Sequence, residues 1–179
     1  MSTTQFLFSG FGGQGILFAG KFIAYKGLIE EKQVSWLPSY GPEMRGGTAS
    51  CSVIIGDEPV GSPIVTRPDV LIAMNLPSLD KYEPTVAPGG IIFADSTLIE
   101  RKVKRDDVTV YEIPATQLAS DNGIPTLANM IIVGKILHVL NQFEPAGVEA
   151  ALKKVISAKH ADMMDANFKA LKLGAEYEA

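Results

Sequence analysis

Short unbroken apolar runs alternate with stretches of helical period through roughly the first two thirds of this chain; after that only helical periods remain. Phe6-Leu7-Phe8 predicts a first strand over Gln5–Phe8. Ile16, Ala19, Ile23 and Ala24 recur near helical spacing and predict a helix over Ile16–Ile29. Gln33–Leu37 reads as a second strand closed by Pro38, a residue that cannot donate to a ladder. From Thr48 to Ile55, Thr48, Ser50 and Ser52 alternate with Ala49, Cys51 and Val53, the mark of a half-buried strand. Val70–Met74 and Ile91–Ala94 are continuous apolar runs, as in strands buried on both faces. The first ends in the polar Asn75, the second in Asp95-Ser96.

Between those two runs, Leu76–Val86 predicts a helix interrupted at Pro84. Val108–Ile113 gives the last strand and Pro114–Ser120 a short helix. Pro125–Phe143 reads as one long helix, apolar nearly all round and therefore buried, with proline in its first turn and Asn129 one turn in. Glu144–Ala158 and His160–Leu173 predict two more helices. Strands alternating with helices, then helices alone, indicate an α/β fold: a three-layer α/β/α sandwich with a mostly parallel, Rossmann-like sheet and C-terminal helices. No helix separates the strand at Thr48 from the one before it, so that strand is expected to run antiparallel. The expectation is a single domain over residues 1–179.

Ser9-Gly10-Phe11-Gly12-Gly13-Gln14-Gly15 joins the first strand to the first helix and satisfies G-x-G-x-x-G. Amides of a first helical turn point out of the helix end, and peptide dipoles add partial positive charge there. Glycine lets such a turn adopt positive φ and lets a phosphate approach the backbone. A tight βα turn that binds nothing would read the same way. The second glycine- and proline-rich stretch, Pro38–Gly47, mixes Tyr, Glu, Met and Arg and reads as a surface loop of the kind that carries function.

Composition narrows the chemistry. A chain that is 46% hydrophobic and 20% charged is an ordinary globular sequence. A net charge of −4, with no basic run, argues against nucleic acid as the main partner. One cysteine, Cys51, cannot supply a disulfide framework, an iron–sulfur cluster or a thiolate zinc site by itself. His138 and His160 fall in helical patterns far apart, so no metal site is expected. No apolar run approaches ~18 residues, and a cytoplasmic protein without a membrane role is expected. The second strand ends in Leu37-Pro38-Ser39, without the acid that holds a dinucleotide ribose. NAD is thereby disfavoured, and no P-loop lysine motif or Ser-His-Asp set is visible.

Gly10-Phe11-Gly12-Gly13-Gln14-Gly15, followed by Ser39-Tyr40-Gly41-Pro42-Glu43-Met44-Arg45-Gly46-Gly47, resembles the gamma subunit of 2-oxoacid:ferredoxin oxidoreductases. The compact length looks most like the 2-oxoglutarate enzymes; pyruvate and branched-chain 2-oxoacid enzymes are the alternatives. The resemblance implies a non-catalytic subunit, inactive alone, working with alpha, beta and delta subunits and, through the complex, with ferredoxin. It implies thiamine diphosphate, magnesium and iron–sulfur clusters on those partners and none held by this chain. It further implies that coenzyme A is contacted here, through Gly10, Gly12, Gly13, Gln14, Gly15 and Lys21. The loop Ser39, Tyr40, Gly41, Pro42, Glu43, Met44, Arg45, Gly46 and Gly47 would face the subunit that holds thiamine. A scaffold that only clamps its partners, and an independent nucleotide-dependent enzyme, are the competing readings.

Overall fold

The computed structural model describes residues 2–39, 48–141, 144 and 146–179. Its first unit is strand β1 (Thr4–Phe11), the glycine turn and helix α1 (Ile16–Ile29). Strands β2 (Gln33–Ser39) and β3 (Thr48–Gly56) follow. Next come β4 (Val70–Ala73), helix α2 (Leu76–Tyr82) with a 3₁₀ turn at Glu83–Thr85, β5 (Ile91–Asp95) and β6 (Thr109–Ile113). Helices α3 (Ala115–Asp121), α4 (Ala128–Leu140), α5 (Gly147–Val155) and α6 (Met164–Glu176) complete the order, with a 3₁₀ stretch at Ala158–Met163 before α6.

The six strands form one sheet in the order β2-β3-β1-β4-β5-β6. β1, β4, β5 and β6 pair in parallel, while β3 runs antiparallel to both β1 and β2. That mixed, mostly co-directional sheet is the expected α/β class, with the reversal where it was expected.

Period-two alternation sorts the strand residues onto two faces. Phe6, Phe8, Val53, Val70, Ile72 and Phe93 point into one core, closed by α1, α4, α5 and α6. Leu7, Ile54, Leu71, Ala73, Ile92 and Ala94 point into a second core, against Leu79 of α2 and the flanking segments at Val65 and Ile99. The two covers are unequal. One is a thick helical layer; the other is a short helix with extended chain.

Helix α4 is apolar nearly all round because it lies between the sheet-side core and α6. Two glycines set the closeness of that second contact. A Cβ on Gly174 would stand 1.7 Å from the Ile131 carbonyl oxygen, and one on Gly134 would stand 2.0 Å from the Leu171 oxygen.

Several expected boundaries differ. The long helix begins at Ala128 and not Pro125, because the Leu127 N–H turns back to the Ile124 carbonyl at 3.0 Å. It ends at Leu140, short of Phe143, since Asn141 is left-handed at φ 46° and breaks the ladder. The helix expected from His160 starts at Met164; His160 itself has non-helical backbone inside the 3₁₀ stretch. That last helix then runs past Leu173 to Glu176.

Candidate functional site

The carboxyl ends of β1 and β4 lie side by side, and the chain leaves them on opposite faces of the sheet: α1 packs into the thick layer, α2 into the thin one. Such a point leaves a crevice above the strand ends, the usual place for a ligand in an open α/β sheet. The glycine turn stands there. Gly13 (φ 91°) and Gly15 (φ 72°) both adopt the left-handed backbone that glycine tolerates. Gly10 is small for another reason: a Cβ there would meet Gln14 Oε1 and Ile16 Cδ1, each at 2.6 Å.

Gln14 is the brace of the turn. Its Oε1 accepts the Phe11 N–H at 2.6 Å, and its Nε2 donates to the Met74 carbonyl at 3.0 Å. One side chain therefore ties the turn to the end of β4. A second brace comes from the far end of the chain. Asn129, in the first turn of α4, donates through Nδ2 to the Gly15 carbonyl at 3.0 Å. A Cβ on Gly15 would lie 2.4 Å from that Nδ2, so glycine and asparagine fit each other.

Gly15 caps α1 without a side-chain cap, and the first turn of that helix carries no acidic residue. The opening amides of α1 are thus left without a side-chain acceptor among the described residues. A hollow of ≈ 300 Å³, lined by Phe11, Gly12, Gly13, Gly15, Ile16, Leu17, Phe18 and Ala49, lies over them. On the β4 side, Ser9 Oγ donates to Ser78 Oγ at 2.8 Å in a fully buried pair. Asn75 Oδ1 accepts the Ser78 N–H at 2.8 Å and caps α2, while Asn75 Nδ2 is buried with no partner among the described residues.

Gly10, Gly12, Gly13, Gln14 and Gly15 all lie in the turn between β1 and α1. Gln14, expected as a ligand contact, spends both ends of its amide on the backbone. Lys21 lies about 9 Å further along the α1 axis than Gly15 at helical rise. Its ammonium sits over the rings of Trp36 (5.8 Å) and Tyr25 (6.0 Å), on the β2 side. Of the second motif, Ser39 is the exposed last residue of β2, paired with Ser50. Tyr40, Gly41, Pro42, Glu43, Met44, Arg45, Gly46 and Gly47 lie outside the described residues. The flanking Thr48 pairs with Phe11, beside the glycine turn.

Asn129, the missed site residue, carried no spacing signal linking it to a turn 114 positions earlier. Asn75 was legible as a polar residue at a strand end.

Exposed large apolar residues gather on this same edge. Phe11, Leu76 and Leu98 sit at or just beyond the carboxyl ends of β1, β4 and β5, while Leu37, on the edge strand β2, lies level with Leu7 in mid-sheet. Among the described residues, no helix is long and apolar enough to cross a membrane.

The chain is similar in sequence and in fold to known proteins. A ketoisovalerate oxidoreductase subunit VorA from Methanothermobacter thermautotrophicus is 40% identical over 94% of this chain; the match spans 35% of that protein, so the chain covers about a third of its length. A 2-oxoglutarate synthase subunit KorC from Methanocaldococcus jannaschii is 37% identical over 80% of this chain and 79% of its own. The crystal structure of a keto/oxoacid ferredoxin oxidoreductase gamma subunit from Geobacter sulfurreducens PCA superposes with a TM-score of 0.81 at 27% identity, covering 97% of this chain and 96% of that one. The sequence family described as pyruvate ferredoxin/flavodoxin oxidoreductase matches residues 5–177, and this chain belongs to it.

Proposed function

We propose that this chain is the gamma-type subunit of a multi-subunit 2-oxoacid:ferredoxin oxidoreductase, folded as a single domain. The reaction takes a 2-oxoacid, coenzyme A and two oxidised ferredoxins. It yields acyl-coenzyme A, carbon dioxide, two reduced ferredoxins and a proton. Thiamine diphosphate on partner subunits supplies the carbanion chemistry of decarboxylation, and iron–sulfur clusters there carry the electrons. This chain contributes the phosphate-binding end of coenzyme A recognition and a surface near the thiamine subunit.

The observation that carries the reading is the braced glycine turn. Its amides and the uncapped start of α1 face a hollow. A diphosphate is the ligand chemistry such a set favours. The ammonium of Lys21, held over two rings, adds positive field at a distance and makes no phosphate contact in this reading.

The preferred 2-oxoacid is 2-oxoglutarate. The KorC relative matches this chain over most of both lengths, whereas the ketoisovalerate relative is far longer. Branched-chain 2-oxoacids and pyruvate are the alternatives. Alpha, beta and delta subunits are the proposed partners, docking on the edge that exposes Phe11, Leu76 and Leu98, with Ser39–Gly47 beside the thiamine site. The same exposed edge also supports a second reading, a scaffold that only clamps its partners.

Titrating the assembled complex with coenzyme A separates the two. Gly13→Val should raise the dissociation constant at least ten-fold, since it puts a branched side chain at φ 91°, and should leave decarboxylation without coenzyme A unchanged. Unchanged coenzyme A affinity would leave the scaffold reading standing. Turnover of 2-oxoglutarate, 3-methyl-2-oxobutanoate and pyruvate by the same complex decides the substrate.

A further inference from the structure

The Gly15 carbonyl accepts two hydrogen bonds. One comes from the Ala19 N–H at 3.0 Å, as the first rung of the α1 ladder. The other comes from outside the helix, from Asn129 Nδ2 at 3.0 Å. Gly15 also stands between two hollows, the one over the glycine turn and a second of ≈ 360 Å³ on the α4 side. Of these two, Asn129 lines only the second and Ile16 only the first.

A peptide unit is a rigid plane, and no peptide bond is cis among the described residues. The Gly15 C=O and the Ile16 N–H therefore point in opposite directions from one plane. Holding the carbonyl on the α4 side holds the Ile16 N–H on the other, toward the hollow over the turn. Ile16 opens α1, so its N–H is the first of those that a helix cannot bond internally.

That plane sits where the backbone has the widest choice. Gly15 adopts φ 72° and ψ 28°, Gly13 precedes it at φ 91°, and the cap has no side-chain hydrogen bond. Asn129 supplies a hold from a helix that is placed by other contacts. α4 is buried between the sheet-side core and α6, and Asn129 is only 4% exposed. The carbonyl also decides which end of the amide faces it, because only Nδ2 can donate.

We propose that Asn129 is a positioning residue for coenzyme A, acting through the Gly15–Ile16 peptide to aim the Ile16 N–H at a phosphate; the proposal rests on the coenzyme A reading. Asn129 itself touches no ligand. Its effect is pre-organisation: an amide already aimed needs no reordering when the anion arrives. Loss of Asn129 therefore falls on coenzyme A recognition and not on the 2-oxoacid.

Steady-state kinetics of the assembled complex tests this with two variants. Asn129→Leu keeps the bulk and removes the donor; Asn129→Ala removes both. Each should raise the KM for coenzyme A about five- to ten-fold, the worth of one lost hydrogen bond, and leave the KM for the 2-oxoacid within about two-fold. Arg101→Met is the control for lost stability, since it breaks an ion pair at the other end of α2, and it should leave both KM values as in the parent. An unchanged KM for coenzyme A, a rise in Asn129→Ala with none in Asn129→Leu, or a parallel rise for both substrates would overturn the proposal. Gly13→Val tells this failure from failure of the underlying reading. If it raises the KM for coenzyme A and the Asn129 variants do not, the positioning role falls and the coenzyme A site stands. If none of the three raises it, the site falls and the role with it.

Discussion

Asn129 and Gly15 lie 114 positions apart, yet the asparagine amide donates to the glycine carbonyl at 3.0 Å and fills the space where a glycine Cβ would be. That contact makes α4 the outer support of the turn that begins α1. Gly15→Ala should therefore be hurt twice, by the left-handed backbone and by the collision. A loss of about 2–4 kcal/mol is expected. Gly13→Ala suffers only the backbone strain, since none of the described residues lies within 4 Å of its Cβ position, and should lose about 1–2 kcal/mol. Urea denaturation of both variants, compared with the parent, checks the difference.

The α4–α6 crossing depends on the absence of two side chains. Gly174→Ala would put a methyl 1.7 Å from a backbone oxygen that belongs to a rigid helix. Neither helix can yield locally, so separation of the pair is the expected response, at about 2–3 kcal/mol or more. A thermal melt with Gly61→Ala as control reads it, because Gly61 has open space around its Cβ position.

Glu83 is buried at the end of α2 and gathers the segment that follows β5. It accepts from Arg101 Nη2 at 2.7 Å and from the Lys104 N–H. Removing only the cation leaves a carboxylate that burial has already separated from water. Arg101→Met should cost of order 2 kcal/mol, less than a fully buried pair because the arginine is part-exposed. The double variant Glu83→Gln/Arg101→Met should recover part of that loss, and equilibrium unfolding of the three proteins measures the coupling.

Burial pushes the Cys51 thiol up to about 12, against an ordinary 9.0. Between those values the unfolded chain has lost the proton that the native state keeps. The unfolded state then binds fewer protons, so this group's contribution to stability falls as pH rises through that window and is constant below it. At pH 8, native protein should react with a thiol reagent far more slowly than urea-unfolded protein. Equal rates would contradict the packing of Cys51 under Gly20, where an added Cβ would lie 2.3 Å from the sulfur.

Local chemistry explains what was readable in advance. The strand, glycine turn and helix of the first unit are consecutive, so their pattern stands in the sequence, as do the buried runs Val70–Met74 and Ile91–Ala94. Even the antiparallel β3 was readable, because no crossover helix precedes it. The bracing of the site was not. Gln14 was named for its place in the glycine turn; its hydrogen bonds to the Phe11 N–H and the Met74 carbonyl are set by how β4 lies beside β1. The place of the Lys21 ammonium over the Trp36 ring depends on how β2 packs beside α1, which no local pattern encodes. The helix that supplies Asn129 was readable, but its docking on α1 is a tertiary fact. Helix ends at Asn141 and His160 depended on backbone dihedrals that composition does not encode.

The most direct test is a structure of the assembled complex with coenzyme A bound. The account predicts the diphosphate on the amides of Gly10–Gly15, with the thiol directed out toward a neighbouring subunit. A complex in which that turn is buried against protein, with coenzyme A seated elsewhere, would contradict it.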